Sequence, residues 1–203
     1  MNPRHRILLG TSNPGKIAEM TALFDGLSLM ILQPSDLSLQ LQVEENGESY
    51  LDNAIHKALS WSRQSGITTL ADDSGLEVDA LDGAPGMMSH RFTGNLEASD
   101  AERRKYLLQQ LRDFPRPWTG RFKCAIAIAI PGEELITGIG SCEGEIIPEE
   151  RGINGFGYDP IFLVGKTGKT MAELSMEQKN HLSHRARAIA STRPLLIERL
   201  FKD

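Results

Sequence analysis

The chain has 203 residues, 40% hydrophobic and 24% charged, with 19 glycines and 10 prolines. That is the balance of an ordinary globular protein, and it excludes a disordered, collagenous or coiled-coil chain. Since a typical domain holds about 150 residues, the length predicts one domain over 1–203, with no second domain of full size. A net charge of −5 lacks the basic field of sequence-independent nucleic-acid binding, so no polynucleotide partner is expected, although a local basic cluster can still hold a small anion.

Cys124 and Cys142 are too far apart for a redox pair or a zinc site, and the start Met1-Asn2-Pro3-Arg4-His5-Arg6 lacks the apolar core of a signal peptide. A reducing, cytoplasmic compartment is the expectation. The longest apolar run, Cys124 to Ile130, is about a third of a membrane span, so no membrane association is expected.

Ile7-Leu8-Leu9 predicts a short strand, followed by the punctuated loop Gly10-Thr11-Ser12-Asn13-Pro14-Gly15-Lys16 and a helix carrying Ile17, Met20, Leu23, Phe24 and Leu27. Leu29 to Leu32 and Leu39 to Val43 read as strands, and Leu51, Ala54, Ile55, Ala58 and Leu59 form a second helical stripe running towards Gly66. Ile67 to Ala71 is a β-rich run that ends in a turn at Asp72-Asp73-Ser74-Gly75. The alternation from Leu76 to Ala80 then reads as another strand, turning at Asp82-Gly83. Ser99-Asp100-Ala101-Glu102 has capping-box spacing and opens a helix to about Arg112, which Phe114-Pro115-Arg116-Pro117 stops. Arg121 to Ile130 and Leu135 to Ile147 form a hairpin or meander, and the Gly-rich stretch 152–159 leads into Ile161 to Val164. Ser175 to Phe201 is helical, with a kink or break at Pro194. Strands alternating with helices around a long antiparallel pair indicate a mixed α/β sheet.

Four loops could carry chemistry. The first ends in a helix whose unpaired N–H groups and positive dipole end suit an anion, with Asn13 as cap and Pro14 at the first helical position. Lys16 opposes that dipole unless an anion sits beside it; a surface lysine on a capped helix explains the same residues. Gly10-x-x-x-x-Gly15-Lys16 also matches most of a P-loop, whose bearer would act on a γ-phosphate. Ile17 cannot supply the Mg²⁺-binding hydroxyl that a P-loop needs. Glu44-Glu45-Asn46-Gly47-Glu48 and Asp72-Asp73-Ser74-Gly75 place adjacent carboxylates on turns at strand ends, without nearby His or Cys. Such oxygen-only clusters favour Mg²⁺ or Mn²⁺ bridging phosphates, and solvated turns are the plain alternative. Gly155-Phe156-Gly157-Tyr158-Asp159-Pro160 would let a flat base stack on Phe156, or is an aromatic plug under a loop. Lys179, Ser183, His184 and Arg185 form a basic and polar cluster on a helical stretch. His5, His56, His90 and His181 have no metal-ligand spacing.

Together, Thr11-Ser12-Asn13-Pro14-Gly15-Lys16, Glu44-Glu45-Asn46-Gly47, Ala71-Asp72-Asp73-Ser74-Gly75-Leu76, Gly83-Ala84-Pro85-Gly86, Gly155 to Phe162 and Ser183-His184-Arg185 resemble the inosine triphosphate pyrophosphatase family, in order and over nearly the whole chain. The resemblance implies an elongated mixed sheet flanked by helices, with two lobes and the site in the cleft between them. It also implies a homodimer and Mg²⁺-dependent hydrolysis of ITP, dITP, XTP and dXTP to the monophosphate and pyrophosphate; a silent nucleotide-binding module is the rival. By the same resemblance Thr11, Ser12, Asn13, Pro14, Gly15 and Lys16 hold the triphosphate. Asp73 ligates Mg²⁺ or acts as general base, Glu45 and Glu44 complete the metal site, and Ser74 and Lys179 contact phosphates or ribose. Phe156 stacks on the base, while Gly157, Tyr158, Asp159, His184 and Arg185 read its edge. An Arg185 guanidinium only donates, so it suits a 6-oxo purine and leaves the 6-amino group of adenine unpaired. Ser89-His90-Arg91-Phe92-Thr93-Gly94 departs from the family's Ser-Ala-Arg-Tyr pattern: His90 is bulkier and titratable, and Phe92 lacks a hydroxyl.

Overall fold

Ile7, Leu8 and Leu9 are wholly buried in β1 (His5–Leu9) of the computed structural model, which describes residues 5–39, 41 and 43–201. The chain continues through α1 (Pro14–Leu23), β2 (Leu29–Leu32), α2 (Tyr50–Ser65), β3 (Thr68–Val78), β4 (Pro85–Gly86) and α3 (Asp100–Leu111). It then forms β5 (Trp118–Ala129), β6 (Ile136–Ile146), β7 (Phe162–Val164), α4 (Met176–Leu182) and α5 (His184–Leu200), with short 3₁₀ turns between several of these elements. The strands make one seven-stranded sheet in the order β2-β1-β3-β5-β6-β7, with β4 on β3. β1 runs parallel to β2 and β3, whereas β4 on β3 and β7 on β6 are antiparallel. The mixed α/β sheet flanked by helices is therefore as expected.

The chain divides into two compact units, to both of which β3, β5 and β6 contribute residues. The first takes residues up to Asp73, Cys124–Gly140 and the chain from Arg185 onward. Its packing follows from the period of two in Cys124-Ala125-Ile126-Ala127-Ile128-Ala129 on β5. Cys124, Ile126 and Ile128 join Met20 of α1 and Ile189 and Leu196 of α5 in one cluster, while the three alanines meet Ala54 and Ala58 of α2 in another. Bulky side chains thus face the α1 and α5 side, and small ones let α2 approach closely. Gly138 on β6 serves the same purpose against α5, since a Cβ there would collide with Ser191 and Thr192. The second unit comprises Ser74–Lys123 and Ser141–His184. Its core joins Leu76, Val78, Leu107, Leu111, Phe122, Ile146, Phe162 and Met171.

Three features differ from the expectations drawn from sequence. β3 runs unbroken from Thr68 to Val78, so Asp72 and Asp73 lie mid-strand, 2% and 6% exposed, and not on a turn. The hydrophilic appearance of Asp-Asp-Ser-Gly misleads here, because both charges have partners that allow burial. Leu39, Leu41 and Val43 form no strand and instead pack partly buried against Leu8, Trp61 and Ile67; Gln40 and Gln42 of that stretch lie outside the described residues. The C-terminal helical stretch breaks at Ser183, whose ψ of 156° is extended, and α5 continues through Pro194. A proline costs its helix the one hydrogen bond its missing N–H would donate, and Leu196, 1% exposed, anchors the segment beyond it.

Replacing Gly138 by Ala should overpack the β6–α5 contact and lower stability by about 1–3 kcal/mol. Chemical denaturation checks this, and an unchanged midpoint would show that the contact gives way freely.

Candidate active site

In the first unit, the loop after β1 is built around its own cap. The Asn13 side chain accepts from the Lys16 N–H at 3.0 Å, the Asn13 N–H donates to Thr11 Oγ1 at 3.2 Å, and Pro14 opens α1. Thr11 and Gly15 are half-buried, and Ser12 and Pro14 are exposed. Lys16, a cation at a positive helix end, has its ammonium 3.0 Å from Asp72 Oδ2. The anion that sequence reasoning required beside it is thus supplied in this structure by the protein itself.

Asp72 is shared with Arg185, whose Nε and Nη2 lie 3.2 and 3.1 Å from the same oxygen. The Arg185 Nη1 donates to Glu19 of α1. Burial alone would raise the Asp72 carboxyl, but Lys16 and Arg185 outweigh it and hold the group well below the usual carboxylate range. Burial and the charge of Asp72 push the neighbouring Cys124 thiol up to about 12, leaving it inert. The expectation placed Arg185 at a purine edge; the structure gives its guanidinium, 1% exposed, to Asp72 and Glu19.

Successive residues of a strand face opposite sides of the sheet, so Asp73 meets a different set of partners. Asn53 Nδ2 donates to it at 2.9 Å and Lys57 Nζ lies at 3.4 Å, both from α2 and one helical turn apart. Lys57 also contacts Glu45 Oε1 at 2.7 Å, and the Gly47 N–H donates to Asn53 Oδ1 at 2.8 Å. These bonds draw the acidic loop onto α2, and a Cβ at Gly47 would come within 2.8 Å of Asn53 Oδ1. Burial raises the Asp73 carboxyl above its ordinary value, against the pull of Lys57 and Asn53 and with help from Glu45. Burial opposes the charge on Lys57, yet Asp73, Asp72 and Glu45 together raise its ammonium. Glu44 is exposed, with its carboxylate accepting from Asn46 at 3.4 Å.

The structure therefore brings Glu45 and Asp73 together around Lys57. Among the described residues no group of three or more His, Cys, Asp or Glu side chains is placed to hold a metal ion. The pair nevertheless fits Mg²⁺, which is commonly held by one or two carboxylates and completed by substrate phosphates and water. Asn53, Lys57 and Glu19 escaped the sequence reading. The four-residue spacing of Asn53 and Lys57 beside the Ala54 and Ala58 stripe was the available signal.

In the second unit, Ser74 is half-buried on β3 and Phe156 is half-buried in its turn. Asp159 Oδ2 accepts from the Phe156 N–H at 3.0 Å and from Lys179 Nζ at 2.8 Å, and the ammonium lies 5.7 Å from the Phe156 ring centre. Gly155 has φ +79°, and a Cβ there would collide with the Asp159 carboxylate, so glycine is required. The Gly157 N–H donates to Asp100. Tyr158 is buried and donates its hydroxyl to the Ser89 carbonyl at 2.9 Å. His184 is buried and stacks on Phe122, with ring centres 4.9 Å apart. Phe156 and Asp159, expected near a base, thus form one contiguous cluster with Lys179, expected near phosphates or ribose.

The Ham1 family matches residues 7–195. Over 186 residues the chain is 44% identical to the dITP/XTP pyrophosphatase of Geobacter sulfurreducens, a match that covers 91% of this chain and 93% of that protein. It is 42% identical over 191 residues to the dITP/XTP pyrophosphatase of Bacillus licheniformis, covering 94% and 97%. Among solved structures, a HAM1 protein from Coxiella burnetii aligns with a TM-score of 0.84 and the Staphylococcus aureus Ham1 protein with 0.82. Both are 38% identical, and each alignment covers 96% of this chain and 99% of the other. With sequence and fold agreeing over almost the full length, the resemblance drawn from the motifs is borne out, and the chain belongs to the Ham1 family.

Proposed function

We propose that this protein hydrolyses the deaminated purine nucleoside triphosphates ITP, dITP, XTP and dXTP to the monophosphate and pyrophosphate, removing them from the nucleotide pool. The observation that carries this reading is the Asp73 carboxylate, buried mid-strand and held by Asn53 and Lys57 beside Glu45. The relatives named as dITP/XTP pyrophosphatases support the substrate class. A homodimer in the cytoplasm, implied by the family resemblance, belongs to the same proposal. Among the described residues no helix is long and apolar enough to cross a membrane.

Thr11 to Lys16 would receive the triphosphate on the N-terminal N–H groups of α1, with the Lys16 ammonium exchanging Asp72 for a phosphate oxygen. Glu45 and Asp73 would hold Mg²⁺, with Glu44 at the loop's margin; when bound it neutralises charge along the triphosphate. Asp73 takes a proton from the attacking water as the new bond forms to the α-phosphorus and the bond to the pyrophosphate oxygen breaks. Lys57, between Glu45 and Asp73, keeps both carboxylates in place. Phe156 stacks on the purine, Ser74 and Lys179 contact ribose or phosphate, and Asp159 with His184 completes recognition of the base. Arg185, already bound to Asp72 and Glu19, is assigned to holding Asp72.

With Mg²⁺, ITP and XTP should yield pyrophosphate while GTP and ATP turn over slowly, and Asp73→Asn should lower kcat by about 10²–10⁴-fold, the range for loss of a general base. Separate assays for pyrophosphate and orthophosphate check this; orthophosphate as first product from ATP would instead indicate γ-phosphate chemistry.

The neighbouring aspartates should separate in stability. Asp72 is depressed on folding, so its contribution is present above the ordinary aspartate pKa and is lost as pH falls through its folded value. Asp72→Asn should cost about 3–5 kcal/mol at neutral pH by leaving buried cations underpaired. Asp73 is raised on folding, so its ionised form at neutral pH works against the fold. Asp73→Asn should melt no lower than the unmutated protein at pH 7. Equal destabilisation by both substitutions in thermal melts would refute this division.

A further inference from the structure

Phe156 stands between two glycines, Gly155 and Gly157, both with positive φ, at +79° and +60°. A ring carried on such a turn has no fixed direction of its own, because glycine restricts the backbone least. Asp159 and Lys179 crowd the turn at Gly155, but a Cβ at Gly157 would meet nothing within 4 Å, so no side chain wedges the turn on that side of the ring. There the turn is held by bonds to its peptide groups.

The Phe156 N–H is held from within the turn by Asp159. Gly157 is held from outside it, by α3. Its N–H donates to Asp100 Oδ2 at 2.7 Å, and its carbonyl accepts from Arg104 Nη1 at 2.9 Å. Both clamping side chains are themselves braced. The other Asp100 oxygen accepts from Arg103 Nη1 at 2.7 Å, and Arg103 Nε donates to the His90 carbonyl at 2.9 Å. The remaining face of the Arg104 guanidinium forms a two-pronged pair with Glu150, at 2.9 and 2.8 Å. The first turn of α3 is in turn locked by its capping box, in which the Ser99 N–H donates to Glu102 at 2.7 Å. A rigid helix start therefore grips both polar groups of one glycine, immediately after the ring assigned to the purine.

We propose that Asp100 and Arg104 are positioning residues for nucleobase recognition: by clamping the two polar backbone groups of Gly157 they fix the direction of the Phe156 ring before substrate arrives. The inference rests on the function proposed above. Preorganisation of this kind strengthens binding by removing the cost of ordering the turn at the moment of association. These bonds of both side chains are to residues of the second unit, whereas Glu45, Lys57 and Asp73 belong to the first, so base affinity and the chemical step respond differently to the loss of the clamp.

The test compares Asp100→Ala, Arg104→Ala and Asp100→Asn with the unmutated enzyme in ITP hydrolysis. Inorganic tripolyphosphate serves as a base-free competitive inhibitor, and thermal melting confirms the fold. Either alanine variant should raise KM for ITP about tenfold, with kcat within about threefold and tripolyphosphate inhibition unchanged. Asp100→Asn keeps an oxygen for the Gly157 N–H and should recover most of the loss. A folded Arg104→Ala or Asp100→Ala protein with KM for ITP within about twofold of the original overturns the proposal. So does a parallel rise in KM for ITP and in the inhibition constant for tripolyphosphate, which marks a general disturbance. If Asp100→Ala does not fold, Arg104→Ala decides. Absence of pyrophosphate formation by the unmutated enzyme overturns the proposed function and this inference together, a failure recognisable because it needs no variant.

Discussion

The Asp72 carboxylate is the constraint on which the first unit depends. It lies wholly buried in the middle of β3, a position that would expel a lone charge, and it stays ionised because Lys16 and Arg185 converge on one of its oxygens. Glu19 then balances Arg185, giving two carboxylates and two cations in a small volume. Such a network contributes little net stability compared with an apolar core. Its physical effect is to fix geometry: the starts of α1 and α5 are tied to β3 at a single atom, so the loop after β1 has a defined place relative to Asp73, one residue along the strand.

The strand's period of two converts that tether into a division of labour. Asp72 and Asp73 are adjacent in sequence and identical in chemistry, yet their side chains enter different environments on opposite faces of the sheet. One meets two cations and is depressed; the other meets one ammonium, an amide and another carboxylate, and is raised. The first is held ionised by its cations, whereas burial raises the affinity of the second for a proton. Glycines support both units in a similar way: Gly47 lets the acidic loop lie against Asn53, and Gly155 leaves room for Asp159.

Much of this was legible in the chain itself. The caps at Asn13 and Ser99, the Pro14 helix start and the apolar stripes of α1 and α2 follow from local rules, and the structure has them where the residues predict. The acidic loop, the Asp-Asp step and the Gly-Phe-Gly turn were recognisable as candidates for chemistry. Their partners were not. Asn53, Lys57, Glu19, Asp100 and Arg104 sit on helices, and nothing local distinguishes a solvated lysine from one placed between two carboxylates.

The same limit explains the errors of placement. Asp72-Asp73-Ser74-Gly75 has turn composition, but burial with Lys16, Arg185, Asn53 and Lys57 makes an unbroken strand affordable, and those partners come from 16 to 113 residues away. Pro194 read as a kink or break in the helical stretch, whereas the chain breaks at Ser183, where α4 ends and Arg185 must enter the Asp72 network. By itself the sequence determined most of the elements, the fold class and the family, because periodicity, capping and motif order are carried by neighbouring residues. Only the tertiary structure decided which charges are paired, which aspartate is depressed and which raised, and what holds the Phe156 turn, because an ionisable group's behaviour is set by whatever the fold places within a few ångströms of it.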